Sequence, residues 1–192
     1  MTLPTWVPDD ETKPAPMPLL VVQSFVNTWE GDSGTDLLAD PVAGPRWLVQ
    51  TGLADGPTDL EEARAIRESI RALLVQNGDG QAPDPVRLRA LRDLANRVRL
   101  HAAVLDDGSI DVRSDDRTGA PLARLVLIIR DAQRDGSWER LKACRNPDCR
   151  WAYYDRSHAG RGAWCDMAVC GNRMKNRNLR ARRSPDHAHP AP

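Results

Sequence analysis

Residues 144–170 read CRNPDCRWAYYDRSHAGRGAWCDMAVC, and this stretch holds every cysteine of the 192-residue chain. The cysteines follow the pattern C-x4-C-x15-C-x4-C, which makes two pairs of equal spacing. Four thiolates complete the tetrahedral coordination of a structural zinc ion and leave no open position for a substrate. The pattern therefore predicts one structural Zn2+ per chain, with two disulfides as the alternative. The predicted zinc ligands are Cys144, Cys149, Cys165 and Cys170.

The segment around the cysteines is strongly basic. Residues 140–183 contain 12 Arg and Lys against three Asp, which gives a net charge of about +9. Because the formal net charge of the whole chain is zero, the remaining residues together carry about −9. A charge asymmetry of this kind favours a nucleic-acid partner.

A basic helix is predicted directly after the last cysteine. From Asn172 to Arg183 the sequence contains no Gly, Pro or acidic residue. A solvated helix face normally mixes both signs of charge, whereas this one offers only cations. We predict that it contacts DNA phosphates, and the alternative is that it docks on an acidic protein surface, in the same chain or in a dimer mate. The predicted contact residues are Arg173, Lys175, Arg177, Arg180, Arg182 and Arg183.

Three further residues are predicted to surround the metal without binding it. Four thiolates and one Zn2+ leave a net negative charge, which Arg145, Arg150 and Arg173 could offset because they lie beside the ligands, and for Arg173 this is the alternative to a DNA contact. Asn172, two residues after the last predicted ligand, is also predicted to lie beside the metal without binding it. Within the first cysteine pair, Asn146-Pro147-Asp148 has the composition of a turn that returns the chain to the metal.

These motifs resemble a known bacterial zinc-finger family. CRNPDCRWAYYDRS (144–157) and WCDMAVCGNRMKNR (164–177) are similar to the finger named for its Cys-Gly-Asn-Arg motif, CGNR. Upstream, residues 25–28 (FVNT) and the segment from Trp47 to Leu53 resemble ABATE, the helical domain that accompanies this finger and is described as a stress-induced transcription regulator. The resemblance implies zinc at the four cysteines and DNA binding through the basic residues.

The rest of the chain predicts a mainly α fold. We expect a Pro-rich arm over 1–17, a multihelical domain with one small β-hairpin over 18–136, the zinc-finger module over 137–183 and a disordered tail over 184–192. The arm is acidic and rich in proline, so it is expected to be extended or weakly ordered. The finger holds few aliphatic side chains, so the metal is expected to supply much of its folding free energy.

Apolar periodicity and turn residues place the elements of the helical domain. Helices are predicted at 19–29 and around 46–50. A third is predicted from a capping box at Thr58 and Glu61 up to Asn77, and a fourth along an apolar stripe from Leu88 to Ala102. The last helix of this domain is predicted over 121–134, with Thr118 as its cap. A hairpin is predicted around the turn Asp106-Asp107-Gly108.

Several function classes lack support in the sequence. No apolar run is long enough to cross a bilayer, so no membrane partner and a cytoplasmic location are expected. Phosphate-loop, serine-hydrolase and zinc-hydrolase motifs are absent, and we expect no enzyme. The leading hypothesis is a DNA-binding transcription regulator whose helical domain senses a small-molecule or protein signal or assembles a homodimer. The alternative is a zinc-stapled protein-interaction module that does not bind DNA.

Overall fold

The structure is a computed structural model that describes residues 2–9, 11–114 and 120–183. Within these ranges the chain forms six α-helices and three two-stranded antiparallel sheets, so the predicted mainly α class is confirmed. The helices are α1 (Leu19–Val26), α2 (Ala43–Gln50), α3 (Leu60–Asp79), α4 (Arg89–Arg97), α5 (Ala120–Asp135) and α6 (Asn172–Arg183). The sheets pair β1 (Trp29–Glu30) with β2 (Thr35–Asp36), β3 (Leu100–Val104) with β4 (Ile110–Ser114), and β5 (Leu141–Ala143) with β6 (Ala152–Tyr154).

Helix α1 lies at the centre of the hydrophobic core. Its sequence, LLVVQSFV, is apolar nearly all round, and all of its side chains are buried. It contacts α3, α5 and the zinc-finger strand β6. A short helix can be surrounded in this way only when apolar residues occupy every face, so the sequence of α1 dictates its central position.

Helix α3 connects the core to the zinc finger, and its start differs from the predicted capping box. Asp59, not Thr58, is the N-cap, because its carboxylate accepts hydrogen bonds from the backbone N–H groups of Glu61 and Glu62. Asp is as good an N-cap as Thr, and here it lies next to the first helical residue. At the other end the chain leaves the helix at Gly80, whose φ of 78° suits glycine.

Helix α4 is shorter than its apolar stripe predicts. The stripe continues to Ala102, but the helix ends at Arg97 and the chain is extended from Val98. The predicted hairpin begins earlier than expected, because Leu100 pairs with Ser114 and Val104 with Ile110. Pairing with a five-residue partner strand therefore outweighs helical periodicity over these residues. The Thr118 cap predicted for α5 and the tail 184–192 lie outside the described residues.

The Pro-rich arm, expected to be extended or weakly ordered, packs through its described residues on the core and on the zinc finger. Val7 and Ala15 are buried in the common core. The Lys13 carbonyl accepts a hydrogen bond from the backbone N–H of Tyr154, 2.9 Å away. The Lys13 ammonium group donates to the Trp164 carbonyl at 3.0 Å. The described part of the arm contains turns, in which the N–H groups of Val7 and Glu11 donate to the carbonyls of Pro4 and Pro8, and its remaining carbonyl groups can accept hydrogen bonds from the finger.

The helical segment and the finger share one hydrophobic core. Leu141, Ala143 and Ala152 of the finger sheet belong to the same buried cluster as α1 and α3. Strand β5 lies along α3, and α1 contacts β6. Among the described helices, none is both long and apolar enough to cross a membrane.

Candidate metal centre and basic helix

The four cysteine sulfurs come together in one cluster. The Sγ atoms of Cys144, Cys149, Cys165 and Cys170 all lie within 4.8 Å of one another. The Sγ of Cys165 is 3.7 Å from that of Cys149 and 3.7 Å from that of Cys170. A tetrahedron with Zn–S bonds of about 2.3 Å has sulfur–sulfur edges of about 3.8 Å. The cluster therefore fits a tetrahedral zinc ion, and none of its cysteines forms a disulfide.

Two short turns deliver the ligands. After β5 the first ligand pair is closed by the turn 145–148, in which the Asn146 carbonyl accepts hydrogen bonds from the N–H groups of Cys149 and Arg150, both at 3.1 Å. The second pair is closed by a turn of π-helix over Met167–Gly171, which is capped by the Asp166 carboxylate and leads directly into α6. The metal would thus hold the base of the basic helix.

Asn146 is a functional residue that the sequence analysis assigned only to turn formation. It is buried. Its side-chain oxygen accepts from the Asp148 N–H at 3.2 Å, and its side-chain nitrogen lies 3.8 Å from the Cys170 sulfur. An N–H group that points to a thiolate stabilises the charged form, so Asn146 supports the ligand opposite its own turn. The signal in the sequence that could have identified Asn146 was its position between two predicted zinc ligands, Cys144 and Cys149.

The residues predicted to surround the metal have mostly backbone partners. The Arg145 guanidinium donates to the carbonyl of Gly78 in α3. That of Arg150 lies 3.4 Å from the Cys144 carbonyl. The Asn172 side chain donates to the carbonyl of Ala168 at 2.9 Å, which fixes the start of α6. These contacts place the three side chains around the ligand turns, and their described hydrogen bonds do not reach a sulfur.

Without a metal ion, the neighbouring thiol groups shift one another's pKa values in opposite directions. Hydrogen bonds from Cys149 and Cys165 lower the pKa of Cys144 to about 2. The hydrogen bond to Cys144 raises the pKa of Cys149 to about 12, and the pKa of Cys165 is raised as well. One thiolate keeps protons on its neighbours, because adjacent anions repel each other. A divalent cation supplies the charge that allows all four to ionise.

A buried ion pair orders the loop between the two ligand pairs. The Lys142 ammonium group lies 2.9 Å from the Asp155 carboxylate, and each side chain is only 5% exposed. The carboxylate also accepts from the N–H groups of Ser157 and Gly162. Burial alone would raise the pKa of Asp155, but these hydrogen bonds outweigh it and hold the pKa well below its ordinary value. Residues 155–162 are thereby fixed beside the finger sheet.

Polar side chains of the helical segment dock the finger. The Asn27 side chain accepts from the backbone N–H of Ala152 at 2.7 Å and donates to the carbonyl of the same residue at 2.9 Å. Arg71 donates to the carbonyls of Val26 and Arg150, at 2.7 and 2.8 Å. Asn27 therefore pairs with a finger strand as a neighbouring strand would, and Arg71 ties α1 to the turn that carries Cys149.

Helix α6 stands outside the core. Among its described side chains only Met174 is half-buried, and the others are exposed. Two of its arginines contact acidic residues: Arg173 lies 2.7 Å from Asp32 of the β1–β2 hairpin, and Arg177 lies 3.4 Å from Asp148. Both pairs are largely exposed and therefore contribute little to stability.

The predicted contact residues occupy two faces of α6. Arg173, Arg177 and Arg180 line one shallow groove together with Asn176. Lys175 and Arg182 line another groove, between apolar side chains that include Met174 and Leu179. Arg183 is the last helical residue, and its side chain lies outside the described part of the structure.

Comparisons with known protein families find two matches. The family model ABATE, described as "Putative stress-induced transcription regulator", matches residues 21–134, which is more than half of the chain. The model zf-CGNR, described as "CGNR zinc finger", matches residues 140–183 and contains all four cysteines. No curated protein matches the chain.

Proposed function

Because the chain belongs to the ABATE family and contains a CGNR zinc finger, we propose that it is a transcription regulator that binds DNA through α6. One observation carries the proposal: α6 is a cationic, carboxylate-free helix that starts at the sulfur cluster and is exposed over almost its whole length. A zinc ion bound by the four cysteines would fix the direction of the helix. Phosphate contacts would supply most of the affinity.

The zinc ion has a structural role in this proposal. Four cysteine ligands would leave no coordination position for water or substrate, so we expect no catalysis at the metal. The basic residues would position the protein on the duplex. Asn176, on the same face as Arg177, has a side chain suited to reading an adenine edge.

The proposal is tested by measuring duplex DNA binding by fluorescence anisotropy from about 50 to 200 mM salt. The logarithm of the affinity should fall linearly with the logarithm of the salt concentration. Each contact that is removed should lower the slope by about 0.9. Arg177→Gln and Lys175→Gln probe the two faces of α6, and the variant that changes the slope identifies the face that meets the phosphates.

Arg134→Gln is the matched control, because Arg134 is an exposed arginine at the end of α5 and does not belong to α6. It should leave both affinity and slope unchanged. Salt-independent binding would refute the electrostatic model. Equal effects of Arg134→Gln and Arg177→Gln would refute the assignment to α6.

The contacts of Arg173 and Arg177 with Asp32 and Asp148 favour a second candidate, a zinc-stapled module whose basic helix binds acidic protein surfaces. Asp32→Asn in the full chain separates the two candidates. In a DNA-binding protein, Asp32 competes with phosphate for Arg173, so its neutralisation should tighten DNA binding. In a protein-interaction module, neither the parent nor the variant should bind DNA. The full chain is the right material, because the finger shares its core with the helical segment.

A further inference from the structure

A cavity of about 420 Å³ lies where the helical segment meets the first ligand turn of the finger. Four parts of the chain contribute to its wall: α3, β1, the turn before α4 and the turn between Cys144 and Cys149. Its volume is within the range of small-molecule sites. The lining residues are Trp29, Glu68, Arg71, Ala72, Val75, Arg87, Pro147 and Arg150.

The lining carries more positive than negative charge. Among the described residues that line the cavity, three are arginines and one, Glu68, is acidic. Both oxygens of Glu68 already accept hydrogen bonds, from Arg67 at 2.9 Å and from Arg71 at 3.0 Å. Within the described part of the chain, neither Arg87 nor Arg150 pairs with a carboxylate. Both guanidinium groups can therefore donate to an anion in the cavity, although one N–H group of Arg150 already lies 3.4 Å from the Cys144 carbonyl.

Arg71 gives this site a rigid base. It is only 5% exposed, and it donates to two backbone carbonyls and to Glu68. Its guanidinium lies 4.7 Å from the centre of the Trp29 ring, which supports it from one side. A guanidinium held in this way loses little conformational entropy when it meets a ligand.

The other part of the lining is apolar. Trp29, Ala72, Val75 and Pro147 can enclose the body of a ligand whose charged group meets the arginines. Arginine suits carboxylate and phosphate groups because its planar fork can donate two parallel hydrogen bonds. We propose that this cavity binds a small organic anion, with a carboxylate or phosphate head and a compact apolar body, as the effector of the protein.

The location explains how such a ligand would act. Arg150 directly follows Cys149 and has a φ of 52°, a conformation that is uncommon for residues other than glycine. Pro147 lies in the preceding turn 145–148, whereas Arg71 and Val75 belong to α3. An effector that contacts Pro147 on one side and α3 on the other would hold the turn 145–148 against α3. This restraint should slow the release of zinc. Its effect on DNA binding rests on the function proposed above, whereas its binding to the cavity does not.

The test uses the full-length, zinc-loaded protein and four probes: benzoate, phenyl phosphate, inorganic phosphate and, at matched ionic strength, sodium chloride. Binding is followed by calorimetry and by the thermal unfolding midpoint. Benzoate or phenyl phosphate should bind and raise the midpoint above that in chloride. The comparison of these two probes identifies the preferred head group, and inorganic phosphate should bind more weakly than phenyl phosphate.

Arg87→Gln and Arg150→Gln should each weaken binding by about tenfold, the loss expected for one charge-assisted hydrogen bond. Arg89→Gln is the matched control, because Arg89 is also an exposed arginine, only two residues from Arg87, and does not line the cavity. It should bind the probe like the parent protein. Zinc content is measured for every variant, and Arg87→Gln keeps the test decisive if Arg150→Gln disturbs the metal site.

The proposal is overturned if neither organic anion binds better than chloride, or if the Arg87→Gln/Arg150→Gln double variant binds like the parent. Equal binding of inorganic phosphate and phenyl phosphate overturns the role of the apolar lining. DNA affinity is measured separately with and without the probe. If DNA binds but the probe leaves its affinity unchanged, the effector role is wrong. If DNA does not bind at all, the proposed function fails, while the probe titrations still decide the site.

Discussion

At the scale of single residues, the most consequential contact in the finger is the pair of Lys142 and Asp155. Both side chains are almost fully removed from solvent, so each charge depends on the other for its stabilisation. Removing one partner of a buried pair leaves an unpaired charge in the low-dielectric interior of the protein. The pair also fixes the start of the loop at Ser157, and it therefore acts on the spacing between the two ligand pairs.

Asp155→Asn should lower the free energy of unfolding by about 3 kcal/mol at pH 7, because it leaves the Lys142 charge buried and unpaired. Urea unfolding of the zinc-loaded protein measures this loss. The double variant Lys142→Met/Asp155→Asn should recover part of it. The same substitution in an exposed pair, Asp131→Asn beside Arg130, is the control and should change stability little. An equal effect at both sites would contradict the buried-pair account.

The contribution of this pair to folding stability should decrease at acidic pH. The pKa of Asp155 is lower in the folded protein than in the unfolded chain. Its contribution to stability is therefore complete above the unfolded value, about pH 4, and is lost as the pH falls below that value toward the folded pKa. Neutral conditions retain the whole contribution, so the effect of Asp155→Asn is best measured at pH 7.

At the scale of elements, the sequence predicts best where the chemistry is local. The ligand spacing predicts the sulfur cluster, and the run without Gly, Pro or acid predicts the bounds of α6. The end of α4 was missed, because strand pairing between Leu100 and Ser114 overrides the helical stripe. The β1–β2 sheet has only two residues per strand, too few to show alternation.

The contacts between elements were also missed, because they join residues far apart in the sequence. Asn27 and Ala152 are an example: nothing near either residue signals that an amide side chain will pair with a finger strand. The cavity beside Arg71 has the same origin, since its lining comes from four separated segments. Local patterns predict elements, whereas such contacts depend on the whole packing arrangement.

The close approach of the β1–β2 hairpin to the first ligand turn predicts an effect at Gly31. A Cβ atom there would lie 2.4 Å from the Asp148 carbonyl oxygen and 2.7 Å from that of Cys149, both in the backbone. Gly31→Ala should therefore force the hairpin away from the turn, with a loss of about 2 kcal/mol in stability and faster zinc release to a chelator.

Gly56→Ala is the control for this variant, because a Cβ atom at Gly56 meets no other atom within 4 Å. It should leave both thermal stability and zinc release close to those of the parent. Unchanged zinc release in Gly31→Ala would show that the hairpin does not brace the ligand turn.

At the scale of the whole molecule, one hydrophobic core joins the helical segment, the Pro-rich arm and the finger. Leu141 and Ala152 lie in it beside α1, and Val7 of the arm packs there too. The cysteines form a separate buried cluster with Trp151 and Trp164, and strand β5, which directly precedes Cys144, connects this cluster to the shared core. The proposed effector cavity and α6 both adjoin the ligand turns, since Pro147 lines the cavity and α6 begins two residues after Cys170.

Removal of zinc should consequently destabilise more than the finger. Structural zinc contributes on the order of 10 kcal/mol to the folding of small modules, and the finger sheet covers part of α1 and α3. With a strong chelator, the thermal midpoint of the helical CD signal should fall below that of the zinc-loaded protein, together with the midpoint of tryptophan fluorescence, which reports on both the helical segment and the finger. A helical transition that stays at the parent midpoint would contradict the shared core.

The affinity for zinc should rise with pH across the neutral range. In the metal-free cluster the pKa of Cys149 is raised to about 12 and that of Cys165 is also raised, so zinc must displace protons from these thiols near pH 7. At lower pH, protons compete more strongly with zinc for the thiolates and weaken zinc binding.

Chelator competition at about pH 6, 7 and 8 measures this dependence, and calorimetry in buffers of different ionisation enthalpy counts the released protons. Replacing Cys165 by Ser removes one of these thiols and should reduce both the affinity and the number of protons released. A pH-independent affinity would mean that the thiols are already ionised before the metal arrives, which contradicts the mutual repulsion of closely packed thiolates.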